Sequence, residues 1–266
     1  PPLNHQTVIP PCTAALLTRL ISGRPLDHQV KTSDKAEQSP STAKVPWVPL
    51  AIGLSTSLVL TTLFWIPSIA GNLLPSNIVA RNVASQLVDW AFAISLIIVV
   101  LFGERKDIAS MGFKPFTFET LYTAFGLVGF FFIGMIAWRL LVSPWFPDIS
   151  LPAGQAATGE LPEHFFLWFA PFALITASFA EEIIYRGYAM ERLLAHFKNP
   201  LIALVLPHTA FALYHLKDGF ENAVMLFFVG WIFTWYYYKS RNLTLLILAH
   251  FIIDLLAIVG RIVGIH

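Results

Sequence analysis

Long apolar stretches, parted by short polar ones, fill this chain from Val45 to its end. Between Val45 and Ala80 there is no Asp, Glu, Lys, Arg or His. A helix needs about 20 mostly apolar residues to cross a bilayer, and the pattern predicts seven spans. They fall at roughly 47–70, 85–103, 119–142, 165–197, 200–216, 221–238 and 243–263. Residues 71–84 are apolar enough to hide a half-span or surface helix, which would make eight. The expected fold is all-α, a polytopic membrane helical bundle over 45–266. Gly260 and Gly264 form a GxxxG in the last span, a helix-packing signal.

Residues 1–44 read differently. They mix charge, proline and serine without an apolar core, as a disordered polar cytosolic tail does. Leu16, Leu17, Leu20 and Ile21 could form a short amphipathic helix on the membrane surface. The chain begins with Pro1 rather than methionine, which points to a trimmed or partial N-terminus, and no signal peptide is visible.

Composition sharpens the class. The chain has 266 residues, 56% hydrophobic and 12% charged, about half the charge of a soluble domain. Net charge is +1, so nucleic acid is not an expected partner, whereas the lipid bilayer is. Cys12, the single cysteine, leaves no internal disulfide framework and no multi-cysteine metal site.

Basic residues set an orientation, because Lys and Arg favour cytoplasmic loops. Arg19, Arg24, Lys31, Lys35 and Lys44 precede span one, and Arg105, Lys106 and Lys114 separate spans two and three. Arg192 and Lys198 follow span four, and Lys239 and Arg241 follow span six. The intervening connections hold only Arg81 and Lys217. The N-terminus is therefore expected in the cytoplasm and residues 143–163 outside.

Charges inside a spanning helix cost several kcal/mol and by default mark function. Span four carries Glu181, Glu182 and Arg186, span five His208 and His215, and span seven His250 and Asp254. Glu182 and Arg186 are one turn apart and can pair, while Glu181 is rotated about 100° from Glu182 and stays free. His250 and Asp254, and Phe211 and His215, share the same spacing. Asn199–Pro200 reads as the turn between spans four and five, since proline starts helices. Glu182 and His215 then lie at one level, about 25 Å up from that turn.

Such a set could deprotonate a water for amide hydrolysis, with an imidazole supporting the oxyanion. Glu181, His215 and His250 could instead ligate a divalent metal such as zinc; no HExxH is present. His208 is read as a packing histidine, with a place at the cavity entrance as the other reading. Asp89 and Arg139 are read as interfacial groups snorkelling to water, and Trp231, Trp235 and Tyr236–Tyr238 as an aromatic belt.

Taken in order, Glu181-Glu182-x-x-x-Arg186, Phe211-x-x-x-His215 and His250-x-x-x-Asp254 resemble the motifs of the CAAX-processing endoprotease and bacteriocin-immunity superfamily. The resemblance covers about residues 100–260, with the motif-bearing core at about 160–260. Met111-Gly112-Phe113 looks like the entry to the family's core. The resemblance implies an intramembrane endopeptidase acting near the C-terminus of a membrane-anchored protein or peptide. Glu181 with His215 would activate the water, and His250 and Asp254 would support the oxyanion or the site. Glu182 and Arg186 would shape the site and substrate contacts. The prenyl proteases usually have Asn where this chain has Asp254. An anionic Asp cannot donate to an oxyanion; a protonated one can, and an anionic one can orient His250 instead. A non-catalytic immunity or membrane scaffold protein is the alternative. A proton-coupled transporter ranks last, because no inverted repeat is seen.

Overall fold

The structure is a computed structural model that describes residues 46–146, 162–197 and 199–263. All of these fall in the unit Val45–His266. The tail at 1–44, with its Cys12 and the amphipathic segment at 16–21, lies outside the described residues, as do Lys198 and Gly264.

Every regular element among the described residues is helical. Five described helices are long and apolar enough to cross a membrane: α1 (Trp47–Phe64), α3 (Ile78–Gly103), the helix Phe118–Trp145, α5 (His164–His196) and Leu243–Gly260. A short helix α2 (Pro67–Leu73) lies between the first two. The third span is α-helical over Phe118–Leu141, named α4. The chain is an integral membrane protein. Sequence pattern predicts seven spans, and the two that fall short are the fifth and sixth. The fifth is α6 (Pro200–Tyr214), only 15 residues long, or about 22 Å at 1.5 Å per residue. The sixth is broken at Gly230 into α7 (Phe220–Val229) and α8 (Trp231–Ser240). The last helix is α9 (Leu243–Ile262).

Local chemistry explains most of the boundaries. Asn77 caps α3, its side chain accepting from Ala80 N at 3.0 Å, so α3 begins well before the predicted 85. Thr117 and Thr120 form a reciprocal cap on α4. Asn199 accepts from Leu201 N at 3.0 Å, and Pro200 opens α6 as expected. Asn242 caps α9 through Leu245 N at 3.1 Å.

Helix α5 is the axis of the molecule. In its most apolar window 56% is buried, against 17–33% in the other four spans, so α5 is the most enclosed of the five. Its middle is π-helical over Ala177–Glu181 and Ile183–Met190, a distortion common at functional sites. Gly53 on α1 lies directly against the Tyr188 ring of α5, where a Cβ would overlap it.

The connection after α3 is tied to the lower end of α5. Glu104 accepts from Arg192 Nε at 2.6 Å and from Tyr188 Oη at 2.8 Å. Arg192 also donates to Ser110 O at 2.9 Å. Glu191 is paired with Arg241 and accepts from Tyr237 Oη at 2.7 Å. Arg192 is thus buried and paired, where sequence pattern reads it as a free loop charge. Tyr237 likewise leaves the expected aromatic belt, being fully buried, while Trp235 stays exposed. Gly112 takes a left-handed backbone, φ 86°, which glycine adopts without a Cβ penalty. This turn lets Gly112 O accept from Leu243 N at 2.8 Å, seating the start of α9 against the Met111–Gly112 turn.

Candidate active site

The site assembles where α5, the end of α6 and α9 meet. Glu182 and Arg186 pair within α5, with Nη1 and Oε1 3.1 Å apart. Both are almost fully buried. The guanidinium lies over the Phe211 ring of α6, 4.2 Å from its centre, so charge and aromatic face are both satisfied. Phe211 serves the site a second time, its carbonyl accepting from His215 Nδ1 at 2.9 Å. That bond puts the proton on Nδ1 and leaves the Nε2 lone pair of a neutral His215 free.

His215 Nε2 stands 3.8 Å from Glu181 Oε2, and His250 Nε2 stands 3.9 Å from the same oxygen. His250 Nδ1 meets Glu182 Oε1 at 3.0 Å, and its Nε2 lies 3.6 Å from Asp254 Oδ2. One imidazole is therefore bonded to Glu182 and stands 3.9 Å from Glu181. The predicted 100° rotation assumes a regular α-helix; the wider π turn through 177–190 brings successive residues closer to one face. Among the described residues, Glu181 Oε2 is buried without a hydrogen-bond partner. A buried polar atom in that condition calls for an explanation, and the two imidazoles just beyond direct bonding distance offer one: a bridging water fits such separations.

All seven residues singled out in the sequence thus converge: Glu181, Glu182, Arg186, Phe211, His215, His250 and Asp254. Among the described residues no three His, Cys, Asp or Glu side chains are grouped so that they could hold a metal ion. His208 stays outside the cluster, bonded through Nδ1 to Thr234 Oγ1 at 2.9 Å and through Nε2 to Phe227 O at 2.7 Å. Packing is its role.

Two cavities flank the cluster. One, of about 280 Å³, is lined by Glu182, Arg186, His215 and His250 and by apolar residues such as Phe131 and Met225. The other, of about 270 Å³, is lined by Glu181, Asp89, Tyr214 and Lys217 among others. Asp254 and Ala257 belong to both walls.

Sequence reasoning missed the second cavity. Asp89 is no snorkelling group: it is buried and accepts from Trp65 Nε1 at 3.0 Å and Tyr214 Oη at 3.1 Å. The sequence signal is a carboxylate within an apolar helix; a span starting at 85 puts Asp89 near that end, whereas α3 starts at Ile78 and places it deeper. Lys217, in the turn after α6, has its Nζ 4.3 Å from the Tyr214 ring centre and 5.4 Å from that of Trp65. Burial opposes its charge, but the carboxylates of Asp218, Glu181 and Asp89 prevail and hold its pKa above the ordinary lysine value.

Residues 163–256 match a family model described as type II CAAX prenyl endopeptidase, Rce1-like. The match takes in α5 from its start and all three motif pairs. Over this segment the chain is similar to the CAAX-processing endoproteases. The Rce1-like segment holds each of the seven converging residues, while Trp65 and Asp89 lie outside it. No curated protein and no solved structure matches the chain.

Proposed function

We propose that this protein is an intramembrane endopeptidase that hydrolyses a peptide bond near the C-terminus of a membrane-anchored protein or peptide, using water activated by Glu181 and His215. One observation carries the reading: a buried carboxylate oxygen without a hydrogen-bond partner faces two imidazole Nε2 atoms at 3.8 and 3.9 Å. A water accepted there donates one proton to Glu181 and a hydrogen bond to the lone pair of His215. Its oxygen attacks the scissile carbonyl carbon. As the tetrahedral intermediate collapses the C–N bond breaks, and Glu181 returns the proton to the leaving nitrogen.

His250 supports the developing oxyanion. Its Nδ1 is anchored on Glu182, itself held by Arg186, so the ring cannot turn and Nε2–H of the imidazolium is the donor at hand. Asp254, 3.6 Å from Nε2, orients that ring and balances its charge. This assignment answers the departure at position 254, because an orienting acceptor can be Asp or Asn. Asp254→Asn is expected to keep turnover within about tenfold of wild type, and Asp254→Ala to lose about 10²-fold, the scale of a misplaced catalytic group. Steady-state rates of the two variants check this, and equal losses would remove the orienting role.

We place the N-terminus in the cytoplasm, because Lys and Arg favour cytoplasmic connections.

The test is cleavage of a panel of farnesylated and unmodified peptides by purified protein in lipid, with and without chelator. Cleavage unaffected by chelator is the expected result. Loss with chelator would favour the metal alternative. Failure to cleave any peptide would favour the non-catalytic immunity or scaffold reading.

A further inference from the structure

His215 stands at a helix end. Helix α6 stops at Tyr214, and His215 already leaves helical backbone, with φ −81° and ψ 3°, to open the short 3-10 turn His215–Asp218. Pro207 lies inside α6, where proline removes a backbone hydrogen bond and kinks or weakens a helix. The bond from His215 Nδ1 to Phe211 O holds the ring to its own helix only. The 3.8 Å between His215 Nε2 and Glu181 Oε2 therefore depends on what ties the end of α6 to the rest of the bundle.

Tyr214 supplies such a tie. It is buried, and its Oη donates across to α3, to Asp89 Oδ2 at 3.1 Å. The other oxygen, Oδ1, accepts from Trp65 Nε1 at 3.0 Å, immediately after α1. The Tyr214 ring meets the His215 ring edge to face, with 5.0 Å between centres, and meets Tyr185 of α5 at 6.0 Å. A carboxylate only accepts, which suits two facing donors, and bonds to a charged acceptor are the stronger kind. A buried charge in an apolar helix is costly and by default marks function. Asp89 spends both oxygens on Trp65 and Tyr214, so it reaches the reacting groups through Tyr214.

From this we infer that Asp89 is a positioning residue for His215, acting through the Tyr214 hydroxyl to hold the end of α6 at the level of Glu181. The inference rests on the endopeptidase reading above. Asp89 lies outside residues 163–256, so the three motifs are completed by a carboxylate of α3 that none of them contains. Without the bond, the 3-10 turn is free to shift against α5 and takes the imidazole with it. A catalytic group displaced by about 1 Å can cost about 10²-fold in rate.

The experiment measures kcat and KM, per folded molecule in lipid, for Tyr214→Phe, Asp89→Leu, Asp89→Asn and the double variant Asp89→Leu, Tyr214→Phe. Tyr214→Phe keeps the ring and its packing and removes only the donor. It and Asp89→Leu should each lower kcat by about 10–10²-fold and leave KM little changed. The double variant should be no slower than the slower single one, because residues that act through one bond are not additive. Asp89→Asn should recover most of the loss: its amide oxygen accepts from Trp65 Nε1 while its NH₂ donates to Tyr214 Oη. A merely structural aspartate would lower thermal stability and leave kcat per folded molecule at the wild-type value. That result in Tyr214→Phe overturns the inference, as does a loss carried by KM alone, which would make Asp89 a substrate contact. Losses that multiply in the double variant, or Asp89→Asn as slow as Asp89→Leu, overturn it too. All of these leave the endopeptidase reading standing.

A second measurement needs no turnover: the imidazole nitrogen signals of protein carrying isotope-labelled histidine, in lipid, with His215→Gln assigning the His215 pair. Tyr214→Phe and Asp89→Leu should move the His215 signals and leave those of His208, which is held by Thr234 and Phe227, in place. If no peptide is cut, that selective shift still supports the positioning role. His215 signals unmoved in both variants overturn it.

Discussion

Glu181→Gln is expected to lower turnover by about 10²–10⁴-fold, the contribution of a positioned general base, with insertion and folding unchanged. Glutamine keeps the shape of the side chain and removes its ability to take a proton. The fold should not suffer, because the oxygen at issue makes no hydrogen bond among the described residues. Burying an incompletely compensated carboxylate is costly, so the neutral side chain should leave thermal stability equal or slightly raised. Single-turnover cleavage in lipid and thermal unfolding of the same preparation check the two halves. Turnover within a few-fold of wild type would remove Glu181 from the mechanism. A lost fold would mean that its carboxylate is structural.

Arg186→Met should do the reverse and act on stability first. It strips the cation from Glu182, which is 1% exposed, and leaves a carboxylate in a dry interior. Breaking a buried pair from one side costs about 3–5 kcal/mol, and the Phe211 ring loses its stacked partner as well. The double variant Glu182→Gln, Arg186→Met removes both charges and should recover most of the lost stability. Equal instability of the single and double variants would show that stacking, not charge, is what Arg186 supplies. Turnover in the single variant should fall too, since His250 is oriented by the same Glu182 oxygen that Arg186 holds.

The polar clusters outside the site have a simpler meaning. Glu104–Arg192 and Glu191–Arg241 fasten the connection after α3 and the α8–α9 turn to the lower end of α5. They fix the level of α9 along α5, and with it the level of His250 against Glu182. Long-range coupling of this kind explains why charges that look like loop decoration in the sequence are buried in the fold.

How much was legible beforehand differs from residue to residue. The pairs Glu182–Arg186 and His250–Asp254 follow from a helix alone, because side chains four apart share a face, and the structure has both. The bond from His215 to Phe211 O is of the same local kind. The start of α6 at Pro200 was equally plain. The span count was not: α6, α7 and α8 are apolar enough for membrane helices, and only their lengths and the break at Gly230 separate them from the five long ones. Hydropathy measures surroundings and cannot tell lipid from protein. Asp89 shows the same limit, since its two donors come from Trp65 and Tyr214, 24 and 125 residues away in the chain.

By itself, then, the sequence determined that this is a membrane protein of apolar helices and which residues pair within one turn, because composition and helical periodicity act locally. The crossing of the helices sets the rest: His250 bonds Glu182 and stands 3.9 Å from Glu181, His215 stands 3.8 Å from Glu181, and Asp89 and Lys217 wall a second cavity. Those distances depend on how far α5 is widened into π turns and on how three helices cross. Both are set by packing between residues far apart in the chain, which no local pattern records.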